Sequence, residues 1–264
     1  QLGGSDPEKL STATKMIKPY HYDEINLNLG CPSPKVQSGN FGACLMKEPE
    51  LVKECLLAIK QNSDVPVSIK CRIGIDDMDI EKDLDDFMYH ISVAGIKIVY
   101  LHSRIALLKG LSPKQNREVP KLNYERSARL ARDFKSIDFI LNGGINSINK
   151  YNEIKEEFNN IFCGLMIGRE AYRNPKFISE ISREIFNSNV LEDKDILKKM
   201  LKYAKFEMKN GTNLNSITRH MIGMFHGFKG AKNIRKSLVE SARSRIESFE
   251  LFQLVVKEYC VIKS

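Results

Sequence analysis

What this sequence lacks narrows its class before any motif is read. No apolar run approaches the length of a bilayer span and the mean hydropathy is negative, so an integral membrane protein is not expected. The cysteines stand at positions 31, 44, 55, 71, 163 and 260, with no CxxC pair and no histidine cluster to partner them. A zinc site or a disulfide framework is therefore not expected, no metal-ligating set is assigned, and free thiols in a reducing compartment are the reading instead. There is no low-complexity segment and no internal repeat beyond an alternation of strand and helix patterns. Gln1 opens in mid-pattern, with neither Met nor a helix cap, so any targeting segment is expected to precede it.

What is present is a chain of 264 residues, long enough for a full core and for one large domain or one plus a smaller. Its formal net charge of +8 is concentrated in two places. Between Ser103 and Lys135, nine basic residues including Lys114 and Arg117 face three acidic ones. Lys229, Lys232, Arg235, Lys236, Arg243 and Arg245 form a second group, with 229, 232 and 236 at helical spacing. Such groups attract a polyanion, nucleic acid being the commonest. A solvated lysine-rich surface is the alternative for each.

The chain is organised around the stretch from Glu24 to Met46. Ile25, Leu27 and Leu29 share one parity while Asn26, Asn28 and Gly30 share the other, so a strand here sends apolar side chains to one face and amides to the other. Cys31 follows at once, between Pro32 and Pro34 and the strand end. A thiol on a stiff loop at the carboxyl end of a parallel strand occupies the place where α/β folds put reactive groups, although a buried free Cys is the plain alternative. Upstream, Asp6 reads as an N-cap with Pro7 in the first turn of a helix reaching about Met16. Downstream the pattern continues: helix from Pro49, strand 67–72, helix about 79–94, strand 96–102, a long basic loop, helix about 124–132, strand 139–142, helix 147–158 and strand 161–167.

This alternation predicts a parallel sheet whose inward polar positions near the strand ends are Asn28, Lys70, His102 and Asn142, the description of a barrel mouth. About six strands are legible, whereas a closed (β/α) barrel needs eight, so a TIM barrel with its first two strands missing from this chain is expected. After Phe186 a polar linker, 187–192, leads into a purely helical pattern. The predicted domains are thus 1–186, a partial barrel, and 187–264, an all-α unit carrying the second basic group.

Asn142-Gly143-Gly144 and Gly168-Arg169 end the last two strands, where barrel enzymes often bind phosphate on backbone amides, and Arg169 adds a charge-assisted donor. Lys70 faces inward, where an unpaired ammonium is costly, so an anionic or electron-rich partner is expected: a reduced flavin, a Schiff-base carbonyl, or a salt bridge.

The segments QLGGSDP, INLNLGCPSPKVQSGNFGACLM, VSIKCRIGIDD, LHSR, KGLSPKQNRE, LNGGI, MIGREAY and TRHMIGMFHG, in this order from Gln1 to about Ser241, resemble the tRNA-dihydrouridine synthases, most closely the bacterial-type subfamily acting on the D-loop around position 20. The resemblance implies an FMN-containing TIM barrel followed by a helical tRNA-binding domain. It implies an oxidoreductase that uses NADPH to reduce the C5–C6 bond of a uridine at position 20 or 20a. By position in these motifs, Cys31 is the catalytic acid. Gln1, Lys70, His102, Asn142, Gly143, Gly144, Gly168 and Arg169 hold the cofactor. Asn28 meets the substrate uracil, while Lys114, Arg117, Lys232 and Arg235 hold tRNA.

The family's opening strand and Ala-Pro-Met-type loop are not found, so flavin binding and activity are expected of a longer chain rather than of this one. A monomer when complete and a cytoplasmic location are further expectations, an organelle being the alternative. Two other readings compete: a sugar-phosphate barrel aldolase or isomerase using Lys70, and a non-catalytic RNA-binding module.

Overall fold

The computed structural model describes residues 1–243 and 248–263. Arg245, counted in the second basic group, lies outside the described residues. The chain opens as its capping chemistry dictates. The Asp6 carboxylate accepts from the amides of Glu8 (3.0 Å) and Lys9 (3.1 Å), satisfying two donors at the start of α1 (Pro7–Ile17), and Pro7 sits where a helix needs no N–H.

Strand and helix then alternate through β1 (Ile25–Leu29), α2 (Pro34–Ser38), α3 (Pro49–Gln61), β2 (Val67–Arg72), α4 (Lys82–Val93), β3 (Ile98–His102), α5 (Tyr124–Asp133), β4 (Asp138–Asn142), α6 (Ile148–Glu157) and β5 (Gly164–Met166). The five strands form one parallel sheet in sequence order, each pairing with the next. Leu2 adds a parallel bridge to Leu27 on the outer side of β1, through Leu2 N to Asn26 O (2.7 Å) and Asn28 N to Leu2 O (2.9 Å). The fold is α/β with a parallel five-stranded sheet.

The two faces of the sheet differ as the alternation predicts. Leu27, Leu29, Ile69, Cys71, Val99 and Leu101 are fully buried, and they pack in one core with Leu56 and Ile59 of α3 and Phe87, Met88 and Ile91 of α4. Each such side chain contributes about 1.5–3 kcal/mol on burial, so this face holds the helices to the sheet. The opposite face carries Asn26, Asn28, Lys70 and Asn142, all only partly buried.

Several elements depart from the sequence reading. The stretch after Pro34, expected as loop, forms α2 and a 3₁₀ turn at Gly42–Lys47, because Ser33 Oγ accepts from Val36 N (3.3 Å) and Pro34 takes the first turn. The last strand covers Gly164–Met166 rather than 161–167. Every described element beyond it is helical: α7 (Arg169–Arg173), α8 (Pro175–Phe186), α9 (Asp193–Lys209), α10 (Leu214–Thr218), α11 (Ala231–Arg243) and α12 (Ser248–Lys263). The helical stretch that opens at Leu214 is broken after Thr218 and resumes as a 3₁₀ turn at Ile222–Met224. A Cβ at Gly223 would sit 2.5 Å from Tyr172 O, so the chain there runs hard against the C-terminal end of α7.

Packing divides the chain into two compact units, residues 1–145 with 150–167, and residues 146–149 with 168–264. The second has its own core, in which Leu197, Phe225, Ile234, Leu238 and Phe252 are fully buried. Tyr259 is clasped there by Lys176 Nζ (3.0 Å) and donates to Asp193, which pairs in turn with Lys176 at 2.5 Å. This joins α8, α9 and α12. No helix among the described residues is long and apolar enough to cross a membrane.

Candidate active site

Parallel register decides which polar residues meet. Asn28 pairs with Lys70 and Lys70 with Tyr100; two residues further along, Arg72 pairs with His102 and His102 with Asn142. Side chains two apart share a face, so all of these lie on the non-core face at the carboxyl ends of β1 to β4. Lys70 Nζ donates to Asn142 Oδ1 at 3.3 Å, and Asn142 Nδ2 donates to Met166 O at 2.7 Å, which turns the amide oxygen toward the lysine. Among the described residues no carboxylate pairs with Lys70, so of the three partners considered for it the salt bridge is not found there. Burial pulls its pKa below the ordinary lysine value.

His102, 7% exposed, closes the far side of the cluster. Gly143 (φ +114°) has no room for a side chain: a Cβ would lie 2.7 Å from His102 Cδ2, and its carbonyl accepts from the Tyr124 hydroxyl at 2.6 Å. At Gly144 (φ +74°) a Cβ would meet Leu122 Cδ1 at 2.5 Å. The paired glycines therefore let the strand end pass close to the histidine and tyrosine.

The loop carrying Cys31 is held from three sides. Asn28 Oδ1 accepts from the amides of Gly30 (3.1 Å) and Cys31 (3.2 Å), and Cys31 O accepts from Ala43 N (3.0 Å). Gln37 Nε2 donates to Pro32 O (2.9 Å) and to Leu108 O (3.0 Å), tying this loop to the long one after β3. Arg72, 3% exposed, donates from Nε to Gly30 O (3.0 Å) and from Nη1 to Ile105 O and Asn116 O (both 3.0 Å). Burial lowers its pKa to about 10, so it remains charged at neutral pH. Cys31 itself is half-buried and free. Two other thiols sit in apolar surroundings, where burial pushes Cys55 up to about 11 and Cys71 up to about 12, which leaves both unreactive.

The remaining predicted residues fall elsewhere. Gln1 Nε2 donates to Asn26 Oδ1 (2.6 Å), one layer below Lys70 on the same face. Lys114 and Arg117 are exposed on the loop after β3, which Asn116 braces by accepting from Leu107 N and donating to Leu107 O (both 2.8 Å). Gly168 and Arg169 belong to the second unit, at the start of the five-residue α7. Lys232 is exposed on α11, while Arg235 is half-buried and donates to Phe225 O. Because α11 begins at Ala231, Lys229 precedes it, and only 232 and 236 keep the helical spacing read for the second group.

Several contributors, Gln37 and Asn116 among them, were not assigned roles from the sequence. Arg72 had a signal, a charge on the inward parity of β2. Tyr124 and Glu24 had none, since their partners are distant in sequence.

The sequence profile of the dihydrouridine synthase (Dus) family matches residues 1–257. A tRNA-dihydrouridine(20/20a) synthase of Vibrio vulnificus is 42% identical over 96% of this chain and 77% of that protein. That of Vibrio parahaemolyticus is 43% identical over the same shares of 96% and 77%, and that of Salmonella typhi 44% over 92% and 73%. With a family match over residues 1–257 and relatives 42–44% identical over more than nine-tenths of its length, the chain belongs to the dihydrouridine synthase family.

Proposed function

We propose that this protein is an FMN-dependent tRNA-dihydrouridine synthase that reduces the C5–C6 bond of uridine at position 20 or 20a of the tRNA D-loop, with NADPH as reductant. The observation that carries the reading is Lys70: a half-buried ammonium with no carboxylate partner among the described residues, flanked by Asn28 and Asn142, beside a braced loop bearing Cys31. The names of the relatives support the substrate. The five strands are read as a consecutive arc of a (β/α)8 barrel, with 1–186 the catalytic part and 187–264 the helical part that holds tRNA.

The residues present fit a flavin. Lys70 supplies the positive charge that the electron-rich N1–O2 edge requires, His102, Asn142, Gly143 and Gly144 offer donors and close backbone approach beside it, and Gln1 offers an amide below. Gly168 and Arg169 are proposed for the phosphate. FMN, once reduced by NADPH, supplies the hydride that reaches uracil C6. The chain's own residues do the rest. Lys114, Arg117, Lys232 and Arg235 neutralise tRNA phosphates. Asn28 faces the extruded uracil, its Nδ2 having no partner among the described residues. Cys31 gives its thiol proton to C5, and Arg72 and Gln37 hold its loop in register with the strand ends.

The test is flavin binding followed by turnover. The full-length protein mixed with FMN should show a bound-flavin spectrum and form dihydrouridine in tRNA. Cys31→Ala should keep the spectrum and lose turnover by about 10²–10⁴-fold, the range for a lost general acid. A wild-type rate in Cys31→Ala would remove the acid role, and absence of flavin binding would remove the redox reading.

A further inference from the structure

Below the Lys70 layer, the same face of the sheet carries an unbroken line of hydrogen bonds. Gln1 Nε2 donates to Asn26 Oδ1 (2.6 Å), Asn26 Nδ2 donates to Ser68 Oγ (2.8 Å), and Ser68 Oγ donates to Glu24 Oε1. From the other side, the Tyr100 hydroxyl donates to Glu24 Oε2 at 3.2 Å. Asn26 and Ser68 are register partners, and Ser68 is fully buried, so no solvent replaces its bonds.

The sense of this line follows from its end. A carboxylate has no proton to give, so Ser68 and Tyr100 must both donate to Glu24. The single proton of Ser68 is then spent, and its oxygen must accept from Asn26. That turns Asn26 so that Nδ2 faces Ser68 and Oδ1 faces Gln1, and Gln1 must present Nε2 to Asn26. Its own Oε1 is left without a partner among the described residues. The geometry points to Glu24 as a positioning residue that, through Ser68 and Asn26, sets the Gln1 carboxamide with its oxygen outward, to accept from an N–H of the bound ligand. This rests on the flavin reading above. The oxidised isoalloxazine ring has one N–H, at N3, and that imide is the group Gln1 accepts from. Without the charge on Glu24 the two senses of the line become equivalent, and Gln1 offers an N–H outward in part of the population, opposing a donor.

The experiment is titration of the full-length protein with oxidised FMN and with N3-methyl-FMN, read by flavin absorbance and fluorescence. The wild type should prefer FMN by about tenfold, the worth of one buried hydrogen bond whose acceptor otherwise faces a methyl group. Glu24→Gln, with nearly the same shape and no charge, should reduce that preference to about twofold. Ser68→Ala, which cuts the line while Glu24 stays, should do the same. Tyr100→Phe removes only the other donor to Glu24 and should keep the wild-type preference. If Glu24→Gln and Ser68→Ala both bind FMN and keep the tenfold preference, or if the wild type shows none, Glu24 has no such role and the flavin reading stands. If the wild type binds neither compound, the flavin reading falls and the role of Glu24 with it.

Discussion

Replacing Arg72 with Met tests how the Cys31 loop is held. The guanidinium reaches carbonyl oxygens on three separate segments, Gly30, Ile105 and Asn116, each at 3.0 Å. Hydrogen bonds from a charged donor contribute about 1.5–3 kcal/mol each, so three amount to about 4–9 kcal/mol before costs. Against this stands desolvation of a cation that has no carboxylate partner among the described residues, several kcal/mol by the usual penalty for a buried ion. The net loss expected for Arg72→Met, which fills the same space but leaves three carbonyls unsatisfied, is about 2–4 kcal/mol. For a unit of this size that lowers Tm by about 5–15 °C. Two measurements together check it: urea unfolding, and site-resolved thiol labelling by mass spectrometry. Labelling of Cys31 should rise several-fold as its loop loosens, while Cys55 and Cys71, buried with strongly raised thiol pKa values, should stay unlabelled and serve as the internal control. Stability within 1 kcal/mol of wild type, with unchanged Cys31 labelling, would refute the reasoning.

Other outcomes follow from the same geometry. Gly143→Ala should destabilise by about 2–4 kcal/mol, a positive-φ cost plus a clash with His102, whereas Gly110→Ala (φ +81°, nothing within 4 Å) should cost only about 1–2 kcal/mol; equal losses by thermal unfolding would show that His102 yields freely. At Asp193, burial raises the carboxyl pKa but hydrogen bonds from Lys176 and Tyr259 outweigh it, so the folded value lies below the ordinary one. A lowered carboxylate pKa adds stability that is present above the unfolded value of about 4 and is lost as pH falls through the folded value. Far-ultraviolet circular dichroism between pH 7 and 2 should therefore show acid unfolding of the C-terminal helices that is less steep in Asp193→Asn, and identical profiles would deny the coupling. Lys232→Ala with Arg235→Ala should weaken tRNA binding and reduce the slope of log K against log salt by about 1–2, with unchanged binding by filter assay returning α11 to the role of solvated surface.

The strand alternation was legible because period-2 patterning leaves a record in every residue. Ile25, Leu27 and Leu29 lie buried and Asn26 and Asn28 open as read, and the same parity gave Lys70 and Arg72 their direction. The Asp6 cap and Pro7 were equally plain, since capping is local chemistry. Less was legible after β4. After the break that follows α10, Gly223 packs closely against the backbone of Tyr172, an approach that no local pattern records. At the site, Lys70 was readable as an inward cation, but that it meets the amide of Asn142, 72 residues away, was not.

By itself, then, the amino-acid sequence determined the βα order, the polar face, the place of a thiol at the end of β1 and the late glycines, because periodicity, caps and turn residues act over a few positions. Only the tertiary structure decided that Arg72 binds three loops together, that Asn28 gives its oxygen to the Cys31 loop, and that Glu24 orients a glutamine through Ser68 and Asn26. Those bonds join segments tens of residues apart, and register between strands, which no single segment encodes, is what brings them within reach of each other.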